Sequence, residues 1–366
     1  MEDNSPLKKS KKYIGNNYAN FSGSNPFSSQ AKMLHHLDRI YEYMNNGDTT
    51  PIFMEVNPTN RCNLKCQWCI TEEARGREEI EIDPLEGFFT DFYRLGGKAI
   101  TFSGGGEPTL YPHFERAVSS AKKNALDLGL MTNGIFKEKY VSLIGENFDW
   151  VRFSVDTLNS ENYSKWKGVD ALKVVQKNIE SIVNFPVRVG VNCNVNKDFS
   201  VKEAEELVNW TKNIKADYIQ FRPVLPRFFK KGEEPSLNNP VWEYLDSIKS
   251  TNPQLNLSND KRQDVGKGYI FPFRSCEGHF FEPILDATGE IKICMYHPRD
   301  SRFTFGNIHE KSFEEIWNSE QRKKAIEFVR SLDYSKNCQM CCKLTEPNKL
   351  LDFLKHPEEQ QDINFL

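Results

Sequence analysis

From residue 51 to 224 the chain alternates between short apolar runs and longer stretches with helical spacing. The apolar runs are PIFMEV (51–56), KAITFS (98–103), LGLMT (128–132), WVRFSVD (150–156), VRVGVNCNV (187–195) and ADYIQFRPV (216–224). Between them DPLEGFFTDFYRLGG, YPHFERAVSSAKKN, KEKYVSLIGEN, ALKVVQKNIESIV and VKEAEELVNWTKNIK place apolar residues three and four apart, the period of a helix with one buried face. Asp83–Pro84 reads as a helix start, a capping residue followed by proline in the first turn. Six such units in a row predict parallel strands, in an open doubly wound sheet or a barrel.

Period two within the strands narrows the choice. Glu55 and Asn57 share one face of the first strand, opposite Ile52, Met54 and Val56. Thr101 and Ser103 share a face, as do Arg152, Ser154 and Asp156, then Asn192 and Asn194, then Gln220 and Arg222. The opposite faces, with Val151, Phe153, Val155, Val191, Cys193, Val195, Ile219 and Phe221, are apolar. A parallel sheet covered by helices on both sides reads as nearly continuous apolar sequence. A polar face on five of six strands, gathered toward their C-terminal ends where such sheets place ligands, predicts a barrel, or most of one, with a functional lumen.

Composition changes this picture in two respects. The 48 basic and 51 acidic residues leave a net charge of −3, which gives no footprint for nucleic acid. No signal peptide and no membrane-spanning run is evident, so the expected location is cytoplasmic. There, nine cysteines point to metal binding or catalysis rather than to disulfides. Residues 1–49 form a polar extension expected to drape on the surface, and 50–225 the barrel. Residues 226–275 form a linker or lid around one short helix, VWEYLDSIKS; 276–345 make a small α+β extension and 346–366 a tail.

Three of the cysteines, Cys62, Cys66 and Cys69 in RCNLKCQWCI (61–70), follow the first strand directly. Loop-held zinc and iron–sulfur sites normally take four protein ligands. Three thiolates on a cubane cluster leave one iron open; a zinc site completed by a distant histidine is the alternative. The C-x3-C-x2-C spacing with Trp68 before the last cysteine resembles the radical S-adenosylmethionine (SAM) superfamily. That resemblance implies a partial (β/α)6 TIM-like barrel, a [4Fe–4S] cluster, and SAM as the missing fourth ligand through its amino and carboxylate groups. SGGGEPTL (103–110) resembles the family's glycine-rich segment, so Gly104, Gly105, Gly106 and Glu107 are implied in SAM binding, with Glu107 meeting the ammonium. MTNG (131–134) and FSVD (153–156) resemble its later strand ends, implying Thr132, Ser154, Asn192 and Asn194 as further SAM contacts.

Cys276, Cys294, Cys338 and Cys341 form a second set, C-x17-C followed after a gap by C-x2-C. With Gly289 five residues before Cys294, the segment resembles the C-terminal extension called SPASM in its shortened, twitch form. The resemblance implies a second [4Fe–4S] cluster with four thiolates; a four-cysteine zinc ribbon has compatible spacing. Cys193 reads as core. Cys342 follows a ligand directly, so it is expected to stand apart, inert or as a hydrogen-atom donor. Glu277, His279 and His297 flank these cysteines as supporting groups or a general base.

The resemblance implies reductive cleavage of SAM to methionine and a 5′-deoxyadenosyl radical, which takes a hydrogen atom from a substrate in the lumen. The electron comes from a flavodoxin- or ferredoxin-type donor. The second cluster then accepts an electron, turning a carbinol into a ketone, as in the twitch-domain dehydrogenase of an aminocyclitol. The expected substrate is a small polar molecule of sugar, cyclitol or nucleoside-sugar type, with Arg152 and Arg222 meeting its carboxylate or phosphate. Arg227, Lys230 and Lys231 read as a solvated loop. Alternatives are a redox-neutral epimerase, dehydratase or decarboxylase, a maturase of ribosomal peptides, and a non-enzymatic iron–sulfur electron carrier.

Overall fold

The computed structural model describes residues 29–224, 239–257, 271–338, 342–359 and 364. Its centre is a run of six parallel strands in chain order, β1 (Phe53–Val56), β2 (Ala99–Phe102), β3 (Asp127–Thr132), β4 (Trp150–Ser154), β5 (Arg188–Val195) and β6 (Tyr218–Pro223). Helices return the chain between strands, which is what parallel pairing requires. Register is continuous across the sheet: Met54 lies beside Ile100 and Ile100 beside Leu128, and Arg152 lies between Met131 and Gly190. This is a partial radical SAM-type barrel in a mixed α/β chain.

The apolar strand faces lie under the helices. Val151, Phe153, Val155, Val191, Cys193, Val195, Ile219 and Phe221 are all fully buried. The helix Ile82–Arg94 buries Leu85, Phe88, Phe89 and Phe92, with Phe89 edge-on to Phe102 of β2. It begins at Ile82, with Glu81 as the cap residue and no side-chain cap bond; Asp83 and Pro84 therefore sit inside its first turn rather than starting it. The helix Val201–Asn213 is closed by a reciprocal capping box of Ser200 and Glu203.

The sheet exceeds its six expected strands at both edges. Beyond β6 lies β7 (Leu255–Leu257), parallel to it, in the stretch read as linker. At the other edge β8 (Ile284–Leu285) runs parallel to β1, and β9 (Glu290–Lys292) and β10 (Thr304–Asn307) add antiparallel pairs. The result is one ten-stranded sheet that joins the C-terminal extension to the barrel by backbone hydrogen bonds.

The N-terminal extension is not wholly peripheral. Helices Ser29–Met33 and Leu37–Asn46 pack on the body, and Tyr43 is fully buried with its hydroxyl donating to Glu277 at 2.8 Å. The helix Ser160–Lys167, absent from the sequence reading, is a further addition. VWEYLDSIKS forms its helix over Val241–Ile248. Among the described residues, no helix is long and apolar enough to cross a membrane.

Candidate metal centres and lumen

The loop carrying Cys62, Cys66 and Cys69 leaves the C-terminal end of β1 and is strapped on three sides. Asn60 N–H donates to Glu78 O at 2.9 Å and Ile80 N–H to Pro58 O at 3.0 Å, closing the loop's neck. Lys65 N–H donates to Lys167 O at 2.9 Å and Gln67 N–H to Trp166 O at 3.0 Å. The helix Ser160–Lys167 thus holds the loop's far side, with the Trp68 ring 5.8 Å from that of Trp166. On the third side Gly106 N–H donates to Thr59 O at 3.0 Å and Glu107 N–H to Arg61 O at 2.8 Å. A Cβ on Gly106 would stand 2.1 Å from the Arg61 carbonyl oxygen, so glycine is what allows the two loops to meet. A Cβ on Gly105 would meet the Asn60 side chain, and one on Gly104 the Gly106 carbonyl oxygen.

Burial pushes the Cys62 thiol up to about 11, with the neighbouring charges of Glu107 and Cys66 adding to it. Cys66 is raised by burial first, partly offset by the Lys167 ammonium. Arg75 answers this concentration of sulfur. Burial disfavours its charge, but a bond to Cys69 and the charges of Cys69, Cys62 and Cys66 outweigh this and raise the guanidinium; its buried Nε has no partner among the described residues. Three undisulfided thiols converging under a cation fit a cluster that carries net negative charge.

Glu107 is fully enclosed, and burial raises it. Its carboxylate accepts from Thr109 N–H at 3.2 Å, Thr109 Oγ1 at 2.7 Å, Thr132 Oγ1 at 2.7 Å and Asn133 N–H at 2.8 Å. Its oxygens, and Thr132, are therefore engaged in holding the β2 and β3 loops together. Ser154 accepts from Lys167 Nζ at 3.0 Å, and Asn194 Nδ2 donates to Asp156 Oδ1 at 3.1 Å. Asn192 Oδ1 is buried with no partner among the described residues. Lys167 and Asp156 form a buried ion pair at 2.5 Å. Burial disfavours the Lys167 charge, but Asp156 and Cys66 outweigh it and raise the amine. Neither Arg75 nor Lys167 was legible as a site residue.

The second set of thiols gathers beside β8 and β9. Cys276, Cys294, Cys338 and Cys342 each carry a raised proton affinity or act on one that does: burial comes first, then the mutual charges of these four. Cys294 and Cys338 are pushed up to about 12. Cys342, expected to stand apart, is the largest charge acting on both Cys276 and Cys294. Cys341 lies outside the described residues, as do Arg227, Lys230 and Lys231. The four facing thiols fit a fully ligated cluster. Glu277 is an anchor: burial would raise it, but Arg330 and Ser275 hold it down at about 2. Arg330 donates to it at 2.9 and 2.7 Å. His279 is fully buried and driven down to about 3, first by desolvation. His297 Nε2 lies 2.7 Å from Asn337 O.

The lumen lies between the two sets. Arg152 Nη1 donates to Gln220 Oε1 at 3.3 Å and Nη2 to Met131 Sδ at 3.1 Å. Arg222 acts on Tyr296, which burial and then the Cys342 charge raise, so Arg222 belongs to the side nearer the second thiols. Lys343, next to Cys342, reaches Glu55 on β1 at 2.9 Å and Glu282 at 3.3 Å. A small cleft of about 140 Å³ is lined by Asn57, Arg75 and Gly105 together with Lys292 and Cys294.

Comparison with known proteins agrees with this geometry. Residues 56–211 match the model of the radical SAM superfamily, and residues 276–342 match that of the SPASM iron–sulfur cluster-binding domain. The chain is 25% identical over 303 residues to the tungsten-containing aldehyde ferredoxin oxidoreductase cofactor-modifying protein of Pyrococcus furiosus, covering 74% of this chain and 81% of that protein. It is 23% identical to the molybdenum cofactor biosynthesis protein moc-5 of Caenorhabditis elegans, covering 75% of this chain but only 49% of that one. Streptococcus suis SuiB bound to precursor peptide SuiA superposes with a TM-score of 0.65 at 16% identity, covering 82% of this chain and 71% of that chain.

Proposed function

We propose that this chain, which belongs to the radical SAM superfamily and carries a C-terminal SPASM domain, abstracts a hydrogen atom from a small polar substrate held in the lumen and oxidises it. Its cofactors are SAM and two [4Fe–4S] clusters. SAM bound at the three-cysteine cluster supplies the abstracting radical, and the protein supplies orientation and exclusion of water. Cys62, Cys66 and Cys69 hold the first cluster, with Arg75 offsetting its charge. Gly104, Gly105 and Gly106 bring backbone to the cosubstrate, and Asn192 offers it a free carbonyl. Glu107, Thr132 and Ser154 fix the strand ends from behind.

The second cluster is held by Cys276, Cys294, Cys338 and Cys342. The observation that carries the oxidative reading is Lys343: one residue from Cys342, it pairs with Glu55 on the lumen face of β1. A fully ligated cluster so close to the lumen suits electron acceptance from substrate rather than substrate binding. Removing the substrate's hydrogen atom, then a proton and an electron, converts a secondary alcohol to a ketone. The relatives' printed roles in cofactor modification and cofactor biosynthesis favour a small molecule of sugar, cyclitol or nucleoside type.

The test is anaerobic iron and sulfide analysis with EPR on reconstituted wild type and on the triple alanine variant of Cys62, Cys66 and Cys69. About eight irons falling to about four, with loss of a SAM-perturbed signal, is expected. Sugars, cyclitols and nucleosides are then screened for 5′-deoxyadenosine formation coupled one to one with a ketone. Coupled turnover with no change in substrate oxidation level would refute oxidation and leave the epimerase or dehydratase reading.

A further inference from the structure

A cavity of about 690 Å³ opens at the N-terminal end of the barrel, opposite the cysteine loop. Its walls are the lumen-facing positions one or two steps down each strand, among them Phe53, Thr101, Gly129, Trp150, Arg188 and Tyr218. The same period that puts Arg152 and Asn192 in the lumen puts Trp150 and Arg188 there. Met131 and Arg152 line it too, so the cavity adjoins the lumen at these two residues. A Cβ on Gly129 would stand 2.3 Å from the Trp150 ring, and one on Gly190 2.0 Å from the Tyr218 ring. The two glycines thus let flat aromatic walls lie across the sheet.

Cations gather on this floor. Lys32, from the helix Ser29–Met33, and Arg188, at the start of β5, both line it with Arg152. Among the described residues, no side-chain hydrogen bond or ion pair is made by Lys32 or Arg188. The Lys32 ammonium is depressed by burial first and then by the charge of Arg188, with Arg152 adding to it and Glu282 opposing. Of the carboxylates on the same wall, Glu282 is shared with Lys343 at 3.3 Å. Asp149 accepts from Leu128 N–H at 2.7 Å, and Asp127 is exposed. Both residues are exposed at the cavity's mouth, and Glu282 opposes only part of the positive charge there, so an anionic group entering the cavity meets two cationic donors free to bond it.

We infer that the substrate carries an anionic group, a phosphate ester or a carboxylate, that docks on Lys32, Arg188 and Arg152 at the floor of the barrel. This rests on the reading of the lumen as the substrate site and adds the substrate's charge and length. Arg188 and Asn192 are four residues apart on one strand, about 13 Å. The substrate therefore spans more than a single hexose ring, with its reacting carbon near the cysteine loop and its anion at the far end. A cavity of this volume suits a molecule of nucleotide or disaccharide size.

The experiment is isothermal titration of the reconstituted full-length protein, at low ionic strength, with inorganic phosphate in one arm and succinate in the other. Wild type is expected to bind one of the two saturably, and that one identifies the group. Lys32→Gln and Arg188→Gln are expected to weaken binding about tenfold or more, and Lys32→Arg and Arg188→Lys to restore most of it, with melting temperatures compared throughout. No saturable binding of either anion, or binding unchanged in both glutamine variants, overturns the proposal. SAM cleavage is assayed separately on the same samples. Failure there with anion binding intact would count against the radical reading alone, and the reverse against the floor alone.

Discussion

Lys343 Nζ lies 2.9 Å from Glu55 Oε2, a contact that ties the residue after Cys342 to the first barrel strand across 288 positions of sequence. Both groups are mostly buried, and Glu282 shares the ammonium. Lys343→Met leaves two enclosed carboxylates facing one another without a cation. The variant is expected to lose about 3 kcal/mol of stability. It should also shed iron from the second cluster before the first. The double variant with Glu55→Gln should lose less than the sum of the single losses, because the two residues are in direct contact. Denaturant unfolding and iron counts check both statements.

Cys341 and Cys342 are adjacent, and iron content separates them. Cys342→Ala is expected to drop bound iron by about four per chain, whereas Cys341→Ala retains it. The reverse result would return Cys342 to the role of a free thiol.

Gly106→Ala places a methyl group 2.1 Å from the Arg61 carbonyl oxygen. Backbone cannot swing aside as a flexible side chain does, so the glycine-rich loop and the cysteine loop must part. An overpacking cost of about 1–3 kcal/mol is expected, with the SAM-induced change in the EPR signal lost before the iron. EPR with and without SAM reads this.

The sequence legibly carried the barrel, because a period of two with one polar face is written in each strand and parallel pairing follows from the intervening helices. It carried less of the edges. β8 has two residues and β9 three, too few to repeat any pattern; β8 exists as a strand because β1 supplies its partner, and β9 because β8 and β10 flank it. The helix Ser160–Lys167 has a weak apolar stripe, SENYSKWK. Its function is to clamp the cysteine loop, and its buried lysine is intelligible only beside Asp156. Adjacent Cys341 and Cys342 mark a different limit: spacing does not say which of the two is the ligand.

His279 gives the pH dependence. Both ring nitrogens lack a partner among the described residues, and the ring stacks on Phe280 at 4.5 Å. Its folded proton affinity, about 3, lies below the unfolded value of 6.5. As pH falls, the unfolded chain takes up the proton first, so this group's stabilisation is complete above 6.5 and is lost progressively down to about 3. Between pH 6.5 and 5.5 the wild type is expected to lose about 1 kcal/mol more than His279→Phe. Urea unfolding of both proteins at the two pH values measures the difference.

The seam between β1 and β8 also sets a schedule for synthesis. β1 pairs with β2 as soon as residue 102 emerges, but its other edge meets Ile284 and Leu285, some 230 residues after Glu55. At ordinary translation rates that is roughly 10–45 s, during which the strand beneath the cysteine loop offers an open row of amide and carbonyl groups to any passing chain. The nascent barrel is thus a template for aggregation until Ile284 and Leu285 arrive. The extension that carries the second set of thiols is also the guard on that edge.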